Sequence, residues 1–247
     1  MSLFFVFPFG SKKEEAEKNI LVANVNAFTG NEAELQRYLE YLHVDYAILL
    51  ERRADEIKGM QRAADDFSTP VKKKSHHAAI FCREDCRAWI SEQIGSDELK
   101  MSYALLKIEP DICVIGIHAP PPVPVVATGM RPYINAISKY IQNGRVKADW
   151  QVCDKDDRAI VTGDMNAVAG SWPYQQLREK GLVDQARLLD RTGATWPSGG
   201  EVFVDFPFFR IDHLLRNEEI TVPYFQRISI PDSDHKALLF GVNPLKD

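Results

Sequence analysis

Apolar positions in this chain fall into short runs separated by polar stretches, and the spacing inside each run predicts its element. NILVANVNA and DYAILLE are short and almost continuously apolar, which predicts strands buried on both faces. Between them Asn31 is a candidate N-cap with Glu34 three positions later, and Leu35, Tyr38, Leu39 and Leu42 recur at helical spacing. RADEIKGMQRAADDF predicts another helix, so the chain opens strand, helix, strand, helix.

The pattern then shifts to strands. HAAIFCR, SYALLKIE and ICVIGIHA predict strands, and Glu109, Pro110 and Asp111 supply a turn that makes the last two an antiparallel hairpin. Arg131 to Asn143 predicts a helix through Ile134, Ile137 and Ile141, with Gly144 as its stop. AIVTGDMNA predicts a central strand, and Ser171 stands where it would cap a short helix with Pro173 in its first turn and Gly181 at its end. FRIDHLL, YFQRISI and ALLFGVN predict closing strands. No repeat, low-complexity tract or linker divides the chain. The expected organisation is an N-terminal stub over residues 1–18 and a single domain over residues 19–247. Parallel and antiparallel strands with helices between them imply an α/β fold of two stacked sheets covered by helices.

Composition narrows the partners. The chain has 247 residues, 45% of them hydrophobic, which is enough for a sizeable core. With 30 basic and 35 acidic residues the net charge is -5, so nothing draws the whole molecule to nucleic acid or an anionic membrane. Lys72, Lys73 and Lys74 read as a solvated loop. Cys82, Cys86, Cys113 and Cys153 have neither zinc-site spacing nor the density of a disulfide scaffold, so free thiols are expected. A zinc hydrolase is disfavoured further because no histidine-rich cluster occurs, and His76 and His77 would face opposite ways on a strand. The opening LFFVFPFG is too short to span a bilayer and reads either as a core strand or as what remains of a removed anchor.

Polar residues stand where the strands end. Asn24 interrupts an apolar run, Glu51 ends one and His118 another; Asp164 and Asn166 follow a fourth; Asp212 interrupts FRIDHLL; Asp234 and His235 precede the last strand. Each has an ordinary explanation alone. Asn24 would be a satisfied core amide, Glu51 an ion pair with Arg52 or Arg53, and His118 the boundary of a proline segment. Asp164 and Asn166 would form an Asx-turn, Asp212 would pair with Arg210, and Asp234 would cap a turn. One chemistry uses all of them together: metal-assisted attack of water on a phosphate ester. It needs a carboxylate for Mg²⁺, another for the attacking water, amides for phosphoryl oxygens and an imidazolium for developing charge.

In order along the chain, ANVN, ILLE, GIHAPPP, VTGDMNA, RIDHLL and SDH resemble the endonuclease/exonuclease/phosphatase superfamily, from residue 20 to residue 242. The resemblance implies a four-layer α/β/β/α sandwich and a metal-dependent phosphoric ester hydrolase. By it Glu51 binds Mg²⁺, with Mn²⁺ as the alternative ion, and Asn24 and Asp234 complete or orient the metal site. Asp164 positions the water, Asn166 binds the phosphate, and His235 contacts the scissile phosphate with its ring held cationic by Asp212. His118 resembles the second histidine of the deoxyribonuclease branch, on the leaving-group side; the apurinic branch has a tyrosine there. Glu84 is a candidate acidic partner for His118. ATWPS and the prolines after His118 resemble a bacterial subgroup of poorly defined substrate whose members often carry N-terminal membrane segments, so any membrane association would run through such a segment. The expected partner is a phosphate ester, be it nucleic acid, lipid headgroup, sugar phosphate or nucleotide. A non-specific nuclease and a catalytically silent ligand-binding member are the alternatives. No feature sets the compartment or the oligomeric state.

Overall fold

The computed structural model describes residues 16–25, 32–53, 76–83, 89–95, 100–108, 110–122, 127–143, 145–147, 150–154, 156–189, 193–198, 207–230 and 233–243. The LFFVFPFG opening, residues 54–67 of a predicted helix, the Lys72–Lys74 run and Glu84 lie outside them. In chain order the elements are β1 (Lys18–Asn24), α1 (Glu32–Tyr41), β2 (Tyr46–Arg53), β3 (His76–Cys82), β4 (Trp89–Gly95), β5 (Lys100–Ile108) and β6 (Ile112–His118). There follow α2 (Met130–Asn143), β7 (Arg145–Lys147), β8 (Trp150–Cys153), β9 (Arg158–Asp164), α3 (Trp172–Arg178), β10 (Leu182–Asp184), α4 (Gln185–Leu188), β11 (Asp212–Asn217), β12 (Phe225–Ser229) and β13 (Lys236–Val242).

The strands form a five-stranded sheet, β12-β13-β1-β2-β3, a six-stranded sheet, β10-β11-β9-β6-β5-β4, and a β7-β8 ribbon. β1 runs parallel to β2 and β6 parallel to β9, while the other pairs are antiparallel, including the expected β5–β6 hairpin. β4 was not legible as a strand, because WISEQIG mixes polar and apolar positions without alternation; it forms as an edge strand through its pairing with β5.

Strand alternation sorts the apolar residues into layers. Ile20 and Val22 of β1, Ile48 and Leu50 of β2, Ile112 and Val114 of β6, Ile160 of β9 and Leu214 of β11 meet between the sheets. Leu21, Ala23, Ala47 and Leu49 face the opposite way, onto Leu39 of α1. Ile115, Ile117, Val161 and Leu215 pack on Tyr133, Ile134 and Ile137 of α2 and on Tyr174 and Leu177 of α3. Double-sided burial explains why β1, β6 and β9 read as continuous apolar runs.

Two local expectations change. Ser171 occupies the N-cap of α3, but its hydroxyl donates to the Val168 carbonyl at 2.6 Å and makes no cap bond to the helix. The cysteines are not free thiols: Cys113 and Cys153 form a disulfide joining β6 to β8, with Cα atoms 5.6 Å apart, and Cys82 is also disulfide-bonded. Spacing could not show this, since the pair is 40 residues apart in sequence and is brought together by the β6–β9 crossover.

The sheets approach closely at Gly116, where a Cβ would lie 2.5 Å from Ile48 Cγ2. Gly116→Val should therefore lower stability by about 1–3 kcal/mol in urea unfolding, as overpacking does, with part of the loss recovered when Ile48→Ala is added.

Candidate active site

The same alternation that builds the inter-sheet core ends in polar groups at one edge. Asn24 continues the face of Ile20 and Val22, His118 that of Ile112 and Val114, Asp164 that of Ile160, and Asp212 that of Leu214. Pairing then aligns them: His118 is opposite Asp164 on parallel β6 and β9, and Asp164 is opposite Asp212 on antiparallel β9 and β11. All four are buried.

Glu51 is the exception that needs a device. Alternation would send it with Leu49 toward α1, away from this edge. The β2–β3 register shifts between Leu49 and Arg52, and Glu51 takes φ +60°, a left-handed conformation that costs a non-glycine residue energy. The bulge lets its carboxylate reach across to the other sheet. Glu51 Oε1 lies 2.7 Å from His118 Nε2, so the acidic partner of His118 is Glu51.

Asp164 stands between two imidazoles. Its Oδ2 is 3.8 Å from His118 Nε2 and 4.0 Å from His235 Nε2. His235 Nδ1 in turn lies 2.9 Å from Asp212 Oδ2. Each ring is thus backed by its own carboxylate. Burial pushes the His235 imidazole down, but Asp212 and Asp164 outweigh it and raise its pKa to about 10. Burial opposes the His118 cation too, and Glu51 reverses the sign, so its pKa is also raised. Burial and the Asp212 charge lift Asp164 to about 7, against the lowering effect of the two imidazoles.

Neighbouring residues fix these groups. Asn166, at φ +48°, donates its backbone N–H to Asp164 Oδ1 at 2.7 Å and its amide to the Ala119 carbonyl at 2.8 Å and to Asp164 Oδ2 at 3.1 Å. The His118 backbone N–H donates to the Tyr133 hydroxyl, which donates to the Ser102 carbonyl. Ser233 bridges the Asn24 carbonyl and the His235 N–H at 2.7 and 3.1 Å. Thr195 Oγ1 accepts from the N–H groups of Ile211 and Asp212, both at 3.2 Å, and Trp196 donates its indole N–H to Asp234 Oδ2 at 3.1 Å. ATWPS, conspicuous but unassigned in the sequence, is the brace for Asp212 and Asp234. Tyr133 gave no sign of its role, because a helix position facing the core reads simply as apolar. Arg210 does not pair with Asp212; it makes a two-pronged bridge to Asp184 at 2.7 and 3.1 Å.

A row of rings leads outward from the site. The Trp196 ring centre is 6.4 Å from that of His235 and 6.1 Å from that of Phe209, which meets Phe208 at 4.9 Å. Phe208 and Phe209 are exposed.

Asp164, Asp212 and His235 form a group among the described residues that can hold a metal ion, with ligand atoms within 4.8 Å of one another. Asp234 Oδ1 is buried without a hydrogen-bond partner among the described residues, which leaves its lone pairs available to an ion. In the expected set of Glu51, Asn24 and Asp234, the Glu51 carboxylate is turned to His118.

The chain matches the Endonuclease/Exonuclease/phosphatase family over residues 21–235. No match was found among curated protein sequences. Among solved structures, D. rerio TDP2 in complex with single-strand DNA product is similar with a TM-score of 0.64 at 16% identity, over 92% of this chain and 99% of that one. The 3′ phosphatase NExo from Neisseria, bound to a product DNA hairpin, gives 0.64 at 14% identity over 92% and 99%. The mannosyl-6-phosphatase of Bacteroides thetaiotaomicron gives 0.58 at 16% identity over 92% and 99%. At such identities the likeness concerns fold: the five- and six-stranded mixed sheets match the DNase I-like α/β sandwich of TDP2 and NExo. With the family match extending over most of the chain, the protein belongs to the endonuclease/exonuclease/phosphatase family.

Proposed function

We propose that this protein is a Mg²⁺-dependent phosphoesterase that hydrolyses a phosphate ester by attack of water. The observation that carries the reading is the setting of Asp164: a buried carboxylate between two imidazoles that each have a carboxylate behind them. Burial and the Asp212 charge raise its pKa above the ordinary carboxylate value, the direction that suits a base taking a proton from water. His235, kept cationic by Asp212, faces the charge that grows on the phosphoryl oxygens, and His118 serves the leaving oxygen. Asn166 acts through Asp164 in this reading, because its amide is already engaged with Ala119 and Asp164.

Glu51, Asp234 and Asn24 would hold the cation. Asp234 Oδ1, without a hydrogen-bond partner among the described residues, supports that set over Asp164, Asp212 and His235, whose ring already bonds Asp212 and has its pKa raised to about 10. When bound, the ion neutralises phosphate charge and lowers the pKa of coordinated water. On the substrate, TDP2 with DNA and the mannosyl-6-phosphatase stand for different esters on one fold, so the fold does not choose. The exposed rings of Phe208 and Phe209 favour an ester with a flat or apolar portion beside the phosphate. The net charge of -5 disfavours long nucleic acid.

A panel of phosphoesters with and without Mg²⁺, covering DNA, nucleotides, phosphoinositides, sphingomyelin and aryl phosphates, should show turnover that requires the ion; no turnover on any of them would leave a silent ligand-binding member. Asp164→Asn should lower the single-turnover rate about 10²- to 10⁴-fold with little change in substrate binding. A rate within a few-fold of the parent would make Asp164 structural. Glu51→Gln should weaken Mg²⁺ binding in calorimetry with the fold intact, since a hard anionic ligand is lost at nearly constant volume. If Asp212→Asn weakened Mg²⁺ instead and Glu51→Gln did not, the ion would belong to the Asp164, Asp212 and His235 group.

A further inference from the structure

Alternation along β11 gives consecutive residues opposite duties. Asp212 faces the inter-sheet edge and holds His235, whereas His213 points into the helix layer, fully buried beside Tyr174 with ring centres 5.1 Å apart. Its Nε2 lies 2.8 Å from the carbonyl of Ala167. Ala167 ends the turn that begins at Asp164 and carries Asn166. We infer that His213 is a positioning residue, which clamps this turn to β11 and so sets Asp164 and Asn166 against the Asp212–His235 pair. The inference rests on the phosphoesterase reading only where it speaks of rate.

Packing does not account for the imidazole. Apolar groups of the helix layer lie on its side of β11, among them Leu215 on the same strand face and the ring of Tyr174. His213 Nδ1 is buried without a hydrogen-bond partner among the described residues, a cost that a leucine at this place would avoid. What the ring adds is the bond to Ala167. A carbonyl accepts only from a protonated nitrogen, so the bond requires the proton on Nε2 and leaves Nδ1 bare. Burial, and after it the nearby Arg210 guanidinium, disfavour the imidazolium, in keeping with the neutral tautomer that the bond to Ala167 requires. Arg210 is itself locked by Asp184, which also accepts from the Tyr174 hydroxyl at 2.8 Å.

The turn needs the clamp. At its start the Asp164 carbonyl accepts from Ala119 N–H at 2.9 Å, and Met165 N–H donates to the Ile211 carbonyl at 2.9 Å. Its middle is in the left-handed region at Asn166, and beyond Ala167 the chain turns out to solvent at Val168. Among the described residues, the His213 bond is the one that ties the far end of the turn to the strand bearing Asp212. One strand thereby spaces both halves of the site, the imidazole through Asp212 and the water-positioning carboxylate through His213.

Three variants separate a donor from a filler. His213→Gln keeps an N–H near the Nε2 position, His213→Asn is too short to reach, and His213→Leu fills the space without a donor. On whichever phosphoester the parent turns over, the Leu and Asn variants should lose about tenfold to a hundredfold in kcat with KM little changed, and the Gln variant should stay within about threefold, since small misplacements of catalytic groups are costly. Equal losses in Gln and Leu, or a parental kcat in Leu, would overturn the assignment. Two readouts need no activity. Nitrogen-15 spectra of the parent at neutral pH should show His213 protonated at Nε2 with Nδ1 bare; a proton on Nδ1 instead would refute it. Hydrogen exchange should show protection of Met165 N–H lost in Leu and kept in Gln, with β9 and β11 amides unaffected; unchanged protection in Leu would refute it equally. Absence of turnover in the parent sinks the phosphoesterase reading alone, and the spectra and exchange still decide the clamp.

Discussion

The constraint on which this structure turns is the burial of negative charge at the end of an apolar core. Asp164 and Asp212 face each other across neighbouring strands with almost no exposure, and Glu51 is brought in beside them. Carboxylates removed from water are expensive unless paired. The fold answers with two imidazoles interleaved among them, giving the order Glu51, His118, Asp164, His235, Asp212. In the proposed function, charge compensation and chemistry are then the same arrangement. The imidazoles that make burial tolerable lower the Asp164 pKa against burial and the Asp212 charge, and the carboxylates in turn raise the pKa of both imidazoles.

That row stays in register because backbone, more than side chains, sets it. His118, Asp164 and Asp212 occupy one rung of three adjacent strands, so their spacing follows from sheet geometry. Within this row strain is placed where alternation would fail: Glu51, which must cross between sheets, and Asn166, which must fold back on Asp164, are both left-handed. Around them lie bonds from the backbone outward, through Tyr133 to His118, Thr195 to Asp212 and Ser233 to His235. Rigid elements carry the groups, and the loops are tied to those elements.

Much of this was legible in the chain because the relevant information was local. Continuous apolar runs ending in a polar residue gave β1, β2, β6 and β9 and the residues at their ends, and the helical spacing of Ile134, Ile137 and Ile141 gave α2. What was hidden was relational. WISEQIG becomes a strand only through β5, and the Cys113–Cys153 bond only through a crossover. Glu51 as partner to His118 depends on a bulge that has no signature in ILLE, and nothing in FRIDHLL distinguishes the duties of Asp212 and His213 beyond their being consecutive. ATWPS was visible as an oddity, yet its brace contacts join residues 16 to 38 positions apart.

The central claim is that carboxylate–imidazole pairing sets the charge of the site, and the pKa of His235 tests it most directly. Nuclear magnetic resonance titration of the metal-free protein should place it well above the ordinary 6.5, toward about 10, and Asp212→Asn should bring it down. The sign for stability follows from the raised folded value: the pair's contribution should be fully present below about pH 6.5 and be lost as pH rises through about 10. Parent and Asp212→Asn proteins should therefore differ most in stability at mildly acidic pH and converge in alkali. A His235 that titrates at its ordinary value, unmoved by Asp212→Asn, would contradict the account.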